Sequence, residues 1–414
     1  MTSNFKRLGQ YISEVSLKNS NLAVDLLLGV SITKEFIPSI ANTIGTDMSK
    51  YRVVRKNQFG YGPVTSRNGD KISVALLKEE QCIISTSYRV FEVIDHEALD
   101  PEYLMMWFRR PEFDRYARFM SHGSTREVFD WDEMCEVELP VPSIEKQRAI
   151  VKEYDTVTDR IKLNEQLNQK LEEAAQATYK HWFVDFEFPN EDGQPYKSSG
   201  GEMVYNEELD QEIPRLWLIE KLADLAEIKG GKRIPKGISL TRTRNSHPYI
   251  KVTDLGASKF VMLNQHFEYV PAGPQKSISK YIVTKGDLII SIVGTIGIVK
   301  IIHESLHLSN LTENCLKMSN FSQVNADYMF HFFKSLKGKQ EIQMRNVGAV
   351  QAKLPIYNVK SLAVICPDSH VLRSFTKKTE VLNQNMMNRQ KENTLLQSSK
   401  ALLLSKMSER KTQK

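Results

Sequence analysis

The strongest pattern of apolar and polar positions runs from Ser143 to Trp182. There Ile150, Tyr154, Val157, Ile161, Asn164, Leu167, Leu171, Ala174, Thr178 and Trp182 recur at steps of three or four, the spacing of one helix face. With no internal glycine or proline, the run predicts a helix of about forty residues, roughly 60 Å at 1.5 Å per residue. A seam that long needs a second helix to cover it. A weaker copy spans about Ser369 to Met407, with Phe375, Leu382, Met386, Leu396 and Leu403 near one face and Arg389 and Asn393 in the same stripe. Each seam is incomplete alone, so the two are expected to pair antiparallel.

Elsewhere the pattern becomes β-branched alternation bounded by glycines, in YRVVRKNQFGYGPVTSRNGDKISVALL from Tyr51 and YIVTKGDLIISIVGTIGIVKII from Tyr281. Both read as strands joined by tight turns. Short amphipathic stretches precede them, Leu8 to Val15 and KLADLAEIK from Lys221. Further along, Tyr103 and Tyr328, Trp107 and Phe332, Phe108 and Phe333, Gly123 and Gly348, and Pro142 and Pro367 are all separated by 225 residues. A shared order at one offset marks an internal repeat. Each copy runs from an aromatic helix through a Gly-containing loop and a strand ending in proline to a long helix. The expected fold is α+β, with two similar domains, residues 1–142 and 215–368. An antiparallel coiled coil of long helices, residues 143–184 and 369–410, separates them with approximate two-fold symmetry. Residues 185–214 read as an irregular connecting segment.

Composition leaves this picture in place and narrows the chemistry. A chain of 414 residues, 41% hydrophobic, suffices for two or three folded domains. The net charge of +6 permits an anionic partner without requiring one. Cys82, Cys135, Cys315 and Cys366 are far apart and form no CxxC pair, so neither a zinc ribbon nor a disulfide framework is expected. No segment reaches the roughly eighteen apolar residues of a membrane span, and a cytoplasmic protein is the expectation.

Enzyme signatures are sparse. His303, Glu304 and His307 spell HExxH, but metal binding by that motif needs a helix to aim both imidazoles at one ion. Here strands are predicted on both sides, so a surface hairpin is expected and no metal. The GTIG of Gly294 to Gly297 also lies between predicted strands, where glycines serve a tight turn rather than clamp nucleic acid. There is no GxxxxGK[ST] phosphate loop, no GxGxxG after a strand and no Asn/Asp-Pro-Pro-aromatic tetrapeptide of an adenine methyltransferase.

Charge placement says more than charge total. From Ile228 to Thr253 stand seven cations, Lys229, Lys232, Arg233, Lys236, Arg242, Arg244 and Lys251, with no acid and with His247 and Tyr249 interleaved. Cations along a groove release counterions and orient a duplex, so this stretch is a candidate DNA-contacting edge. In the first repeat the candidates are Arg52, Arg55, Lys56, Arg67, Asn68, Arg89 and Arg126, since Arg and Asn suit bidentate contacts with guanine and adenine. The loops at Gly123 and Gly348 add Ser124 and Gln351, polar residues on a rigid frame.

Several of these pieces carry a family resemblance. The connection FPNEDGQPYKSSGGEMVYNEEL, the helix start LPVPSIEKQRAIV, the strand motif GDLIISIVGTIGIV, the block PYIKVTDL and the pattern NQFGYGPVTSRNGDKISV occur together and in order. In these the chain resembles the specificity subunits of type I restriction-modification systems. The resemblance implies two target recognition domains, each reading half of a bipartite site on duplex DNA, and no catalysis in this subunit. Adenine methylation and cleavage would belong to separate modification and restriction subunits, with two modification subunits expected. S-adenosylmethionine would sit on the modification subunit, and no cofactor is expected here. Glu145, Gln147 and Arg148, near the start of the first long helix, are candidates for meeting the modification subunits. Helices of roughly 60 Å cap the half-site spacing near 18 base pairs, and inset docking brings it to about one turn, roughly 34 Å. Two rival readings are a stand-alone methyltransferase and a coiled-coil scaffold that binds no DNA.

Overall fold

The computed structural model describes residues 5–39, 45–66, 68–123, 126–348 and 352–407. The chain divides into two compact units, Met1–Ile161 with Leu395–Lys414, and Lys162–Thr394. Both divisions fall inside the long helices, so each unit carries part of each helix.

The first unit is built on an antiparallel sheet in the order Ile12–Val15, Arg89–Val93, Gln58–Gly62, Ser73–Leu76. Phe59 and Phe91, neighbours across two strands, stack at 4.7 Å, and Phe108 meets both edge-on. That ring comes from the helix Pro101–Phe108, whose first turn is capped by Asp100 through the amides of Glu102 and Tyr103. Arg52–Arg55 pairs with Gln81–Ile84 as a second, smaller sheet. The strand Phe5–Arg7 closes the unit by pairing with Glu138–Pro140.

The second unit repeats this frame. Its main sheet runs Glu227–Gly230, Cys315–Ser319, Leu288–Ser291, Val299–Ile302, with Phe260–Val261 added parallel at the edge. The helix Ala326–Lys334 is capped by Asn325, 225 residues after Asp100. The Tyr103 hydroxyl donates to the Pro140 carbonyl at 3.1 Å, and that of Tyr328 to the Ile365 carbonyl at 2.7 Å, both partners again 225 apart. The bridges His122 to Val128 and Val347 to Lys353 repeat at the same offset around the positive-φ glycines Gly123 and Gly348.

Some local expectations are refined. The amphipathic starts become one turn, Leu8–Gln10 or Leu222–Leu225, followed by a strand. Additional helices, Pro111–Phe119 and Leu336–Met344, stand between the aromatic helices and the glycine loops. The connecting segment holds a hairpin, Met203–Asn206 with Gln211–Pro214, and anchors through Phe188, which stacks on Tyr196 at 4.5 Å and Trp217 at 4.9 Å.

The long helices are Ile144–Phe183, 40 residues, and Ser369–Lys406, 38 residues. Within the second unit Trp182 lies against Phe375, Asn168 donates to the Met386 carbonyl, and Asn164 donates to Asn393, so one numbering rises as the other falls. Within the first unit Tyr154 shares a core with Leu403, Leu404 and Met407. The helices pair antiparallel in both. The predicted seam needs one correction. Beyond Asn164 it continues through Asn168, Leu171, Ala175 and Tyr179, while Leu167 is 37% exposed and Ala174 faces out. A paired seam advances by 3.5 residues per turn, which selects Asn168 over Leu167 despite its polarity.

Candidate nucleic-acid interface

In the second unit, the basic segment leaves its sheet at Gly230 and Gly231. A Cβ at Gly231 would strike the carbonyl oxygens of Leu311 and Thr312, so only glycine lets the chain pass this close to the end of the strand Ser309–Leu311. The Lys232 amide then donates to the Leu311 carbonyl at 2.8 Å, and its own carbonyl accepts from the Tyr249 hydroxyl at 2.9 Å. This fixed backbone borders a cleft of about 410 Å³ lined by Lys229, Lys280 and Lys317 together with Ile228, Tyr281 and Ile356; Lys229 pairs with Glu227, and the half-buried Lys317 stands 3.6 Å from Asp287. The Lys232 ammonium lies 5.6 Å from the Tyr281 ring. Of the lining lysines Lys280 holds no salt bridge among the described residues and, with Lys232, can meet an anionic backbone at this edge.

The remaining candidates of this segment divide. Lys236, Arg242 and Arg244 are exposed and hold no salt bridge among the described residues. Arg233, 78% exposed, is held at its Nε by Glu313 at 2.5 Å. Lys251 turns inward to Glu268 at 2.6 Å, and its charge is matched there.

In the first unit Arg52 and Arg55 sit on one strand and hold no salt bridge among the described residues, whereas Lys56 pairs with Glu80 at 2.7 Å. Arg89 grips Glu14 through two contacts of 3.0 and 3.1 Å, a cross-strand tie between neighbours in the sheet. Asn68 closes its own turn by donating to the Val64 carbonyl at 3.2 Å. Arg126 is exposed beside Gly123, and the Thr65 amide bond to the Glu127 carbonyl brings its loop against the Asn68 turn. Arg67, Ser124 and Gln351 lie outside the described residues.

Of the three helix-start candidates, Glu145 and Arg148 are exposed, Arg148 reaching Glu97 at 2.7 Å. Gln147 is 0% exposed. Its amide donates to the carbonyls of Ala98 and Pro142 and accepts from the Asp100 amide, so it faces no partner surface. A polar residue between charged ones looks exposed in a sequence; here the helix start is docked on backbone that needed its hydrogen bonds satisfied.

The HExxH residues form a turn. His303 caps the short turn Glu304–Leu306 between the strands Val299–Ile302 and Ser309–Leu311, while the His307 Nδ1 accepts from the Lys285 amide at 3.3 Å. The two imidazoles serve separate local bonds. Gly294 and Gly297, at φ of 76° and 85°, form the turn between Leu288–Ser291 and Val299–Ile302, as expected.

Lys280 and Lys317 escaped the sequence reading because they lie outside the basic run. Lys317 is the cross-strand partner of Lys229, visible only once the register is known. Lys280 precedes Tyr281, a cation next to an aromatic, which was the one available signal.

Comparison with known proteins adds the following. The family described as type I restriction modification DNA specificity domain matches residues 34–173 and 214–371. The specificity subunit of the type I restriction enzyme MjaIX of Methanocaldococcus jannaschii is 24% identical over 332 residues, 78% of this chain and 72% of that protein. The specificity subunit of the HindI enzyme of Haemophilus influenzae is 23% identical over 409 residues, 86% of each. The crystal structure of an S subunit from M. genitalium shares the fold, with a TM-score of 0.53 at 14% identity over 99% of this chain and 96% of that one.

Proposed function

The chain belongs to the type I restriction modification DNA specificity family, and we propose that its two units each read one half of an asymmetric, bipartite site on duplex DNA. As a member of that family it is the non-catalytic, sequence-recognising component. The observation that carries the reading is the repeat itself. The same sheet, capped helix and tyrosine bond recur in both units, while the charged loops mounted on them differ. A shared frame with different loops suits two readers of different sequences. In the second unit the exposed Lys232, Lys236, Arg242 and Arg244 meet the duplex; in the first, Arg52, Arg55 and Arg126 do so. Phosphate contacts from these cations orient the duplex, and the arginines supply fork donors for base edges.

The reading includes separate modification subunits that methylate adenine with their own S-adenosylmethionine, and restriction subunits that cleave. Glu145 and Arg148 are exposed at the start of the first long helix and available to the modification subunits. No described helix is long and apolar enough to cross a membrane. The test is methylation-sensitive sequencing of DNA from cells carrying this chain with its modification subunit. The expected result is methyladenine in a split, asymmetric motif; a continuous palindrome, or methylation that does not depend on this chain, would sink the proposal.

A further inference from the structure

In the second unit one lysine has no exposed surface. The Lys259 side chain is 0% exposed, yet all three of its N–H bonds find acceptors. They are Asp327 Oδ1, Asn383 Oδ1 at 2.9 Å and His331 Nε2 at 3.2 Å. An ammonium has three donors, so the group is saturated. The acceptors are themselves tied together. Asn383 Nδ2 donates to Asp327 Oδ1 at 2.8 Å, His331 Nδ1 meets Gln176 Oε1 at 2.8 Å, and Gln176 Nε2 donates to the His331 carbonyl at 3.1 Å. Because Nε2 accepts from the lysine, the imidazole proton lies on Nδ1 and the ring is neutral. Burial agrees, pulling its pKa down to about 3.

The cluster joins four elements of this unit. Lys259 lies just before the edge strand Phe260–Val261, Asp327 and His331 stand one turn apart on Ala326–Lys334, Gln176 is on the first long helix and Asn383 on the second. Flanking bonds have the same direction. Ser258 donates to Gln390 at 2.7 Å, Gln390 donates to the Phe260 carbonyl at 3.0 Å, and Lys334 pairs with Glu172 at 3.0 Å. The first unit does this differently. At the place of Asp327 it has Glu102, paired with the exposed Lys78, and at the place of His331 it has Met106 in an apolar core. Apolar surfaces tolerate small slides, but a buried charge moved off its acceptors loses its compensation for desolvation.

We infer that Lys259 is a positioning residue, holding the globular part of the second unit at one angle on the two long helices and so selecting a single gap between the half-sites. This rests on the DNA-reading function proposed above. The test uses the complex of the full chain with its modification subunits and a DNA library carrying both half-sites at every gap from zero to two helical turns. Wild type is expected to methylate one gap; absence of any split motif would defeat the DNA-reading assignment, and this proposal with it. Lys259→Met, and Gln176→Leu, which cuts the cluster's own bonds to the first helix and leaves the Lys334–Glu172 pair, are expected to keep both half-sequences while discrimination against neighbouring gaps falls several-fold. His331→Gln can still accept from Lys259 and donate to Gln176, and is expected to retain the single gap. If Lys259→Met does not fold, Gln176→Leu decides alone. A folded Lys259→Met or Gln176→Leu protein that methylates only the wild-type gap, or one that changes the bases read in the second half-site, overturns the proposal.

Discussion

Single residues in this chain do work that their type does not announce. His331 lies buried and neutral, with its pKa pushed down to about 3 from an ordinary value near 6.5. The unfolded chain therefore takes up this proton more readily than the folded one, and stability is lost as pH falls from about 6.5 toward 3. Asp327 acts in the same sense at lower pH. Burial alone would raise its pKa, but the Lys259 ammonium bonded to it holds it down to about 2, so its contribution is lost only as pH falls below about 3.8. Thermal unfolding is expected to show a midpoint that declines between pH 7 and pH 5, and His331→Gln should flatten that decline. An unchanged pH dependence in the variant would mean that other groups govern it. Gln147 makes a complementary point: its neighbours Glu145 and Arg148 are exposed, and only the packing shows that it is not.

At the scale of elements, Asn393, one of the two polar residues that weaken the second helix seam, proves to be part of its pairing, whereas Arg389 bonds back to the Asn385 carbonyl of its own helix. Asn164 is fully buried and donates to Asn393 Oδ1 at 2.8 Å and Glu392 Oε2 at 2.9 Å. The buried Asn164 donors find these acceptors in one register only, while its Oδ1 is left without a partner, which costs stability and excludes slipped alignments. Asn164→Leu should destabilise the protein by about 1–3 kcal/mol, because it strands acceptors in an apolar seam. The double change Asn164→Leu with Asn393→Leu should recover much of that loss, since like apolar groups then face each other. Denaturant midpoints of the two variants check this, and a double variant no more stable than the single one would refute it. The same rule of local form and distant partner explains the sheets. The strand Glu227–Gly230 is readable from its residues, but that Lys229 stands opposite Lys317 is decided by register.

For the whole molecule, the long helices are expected to act as the spacer between two readers. Inserting one heptad into each helix preserves the seam and lengthens it by roughly 10 Å at 1.5 Å per residue. The methylated motif should then widen its gap by about three base pairs at 3.4 Å each while both half-sequences stay the same. Altered half-sequences, or an unchanged gap, would show that the helices do not set the spacing. Much of this architecture was legible in the chain. Helix length, the repeat at an offset of 225 and the turn chemistry of the GTIG segment follow from periodicity and residue type, which act between near neighbours. The structure alone decided which polar residues are buried, as with Gln147, Asn164 and Lys259, and which cations are matched, as with Arg89 and Lys251. It also assembled the cleft lined by Lys229, Lys280 and Lys317 from segments far apart in sequence. The physical reason is that hydrogen bonding and ion pairing depend on partners brought close only by folding, whereas the periodicity of an amphipathic helix is written in consecutive residues.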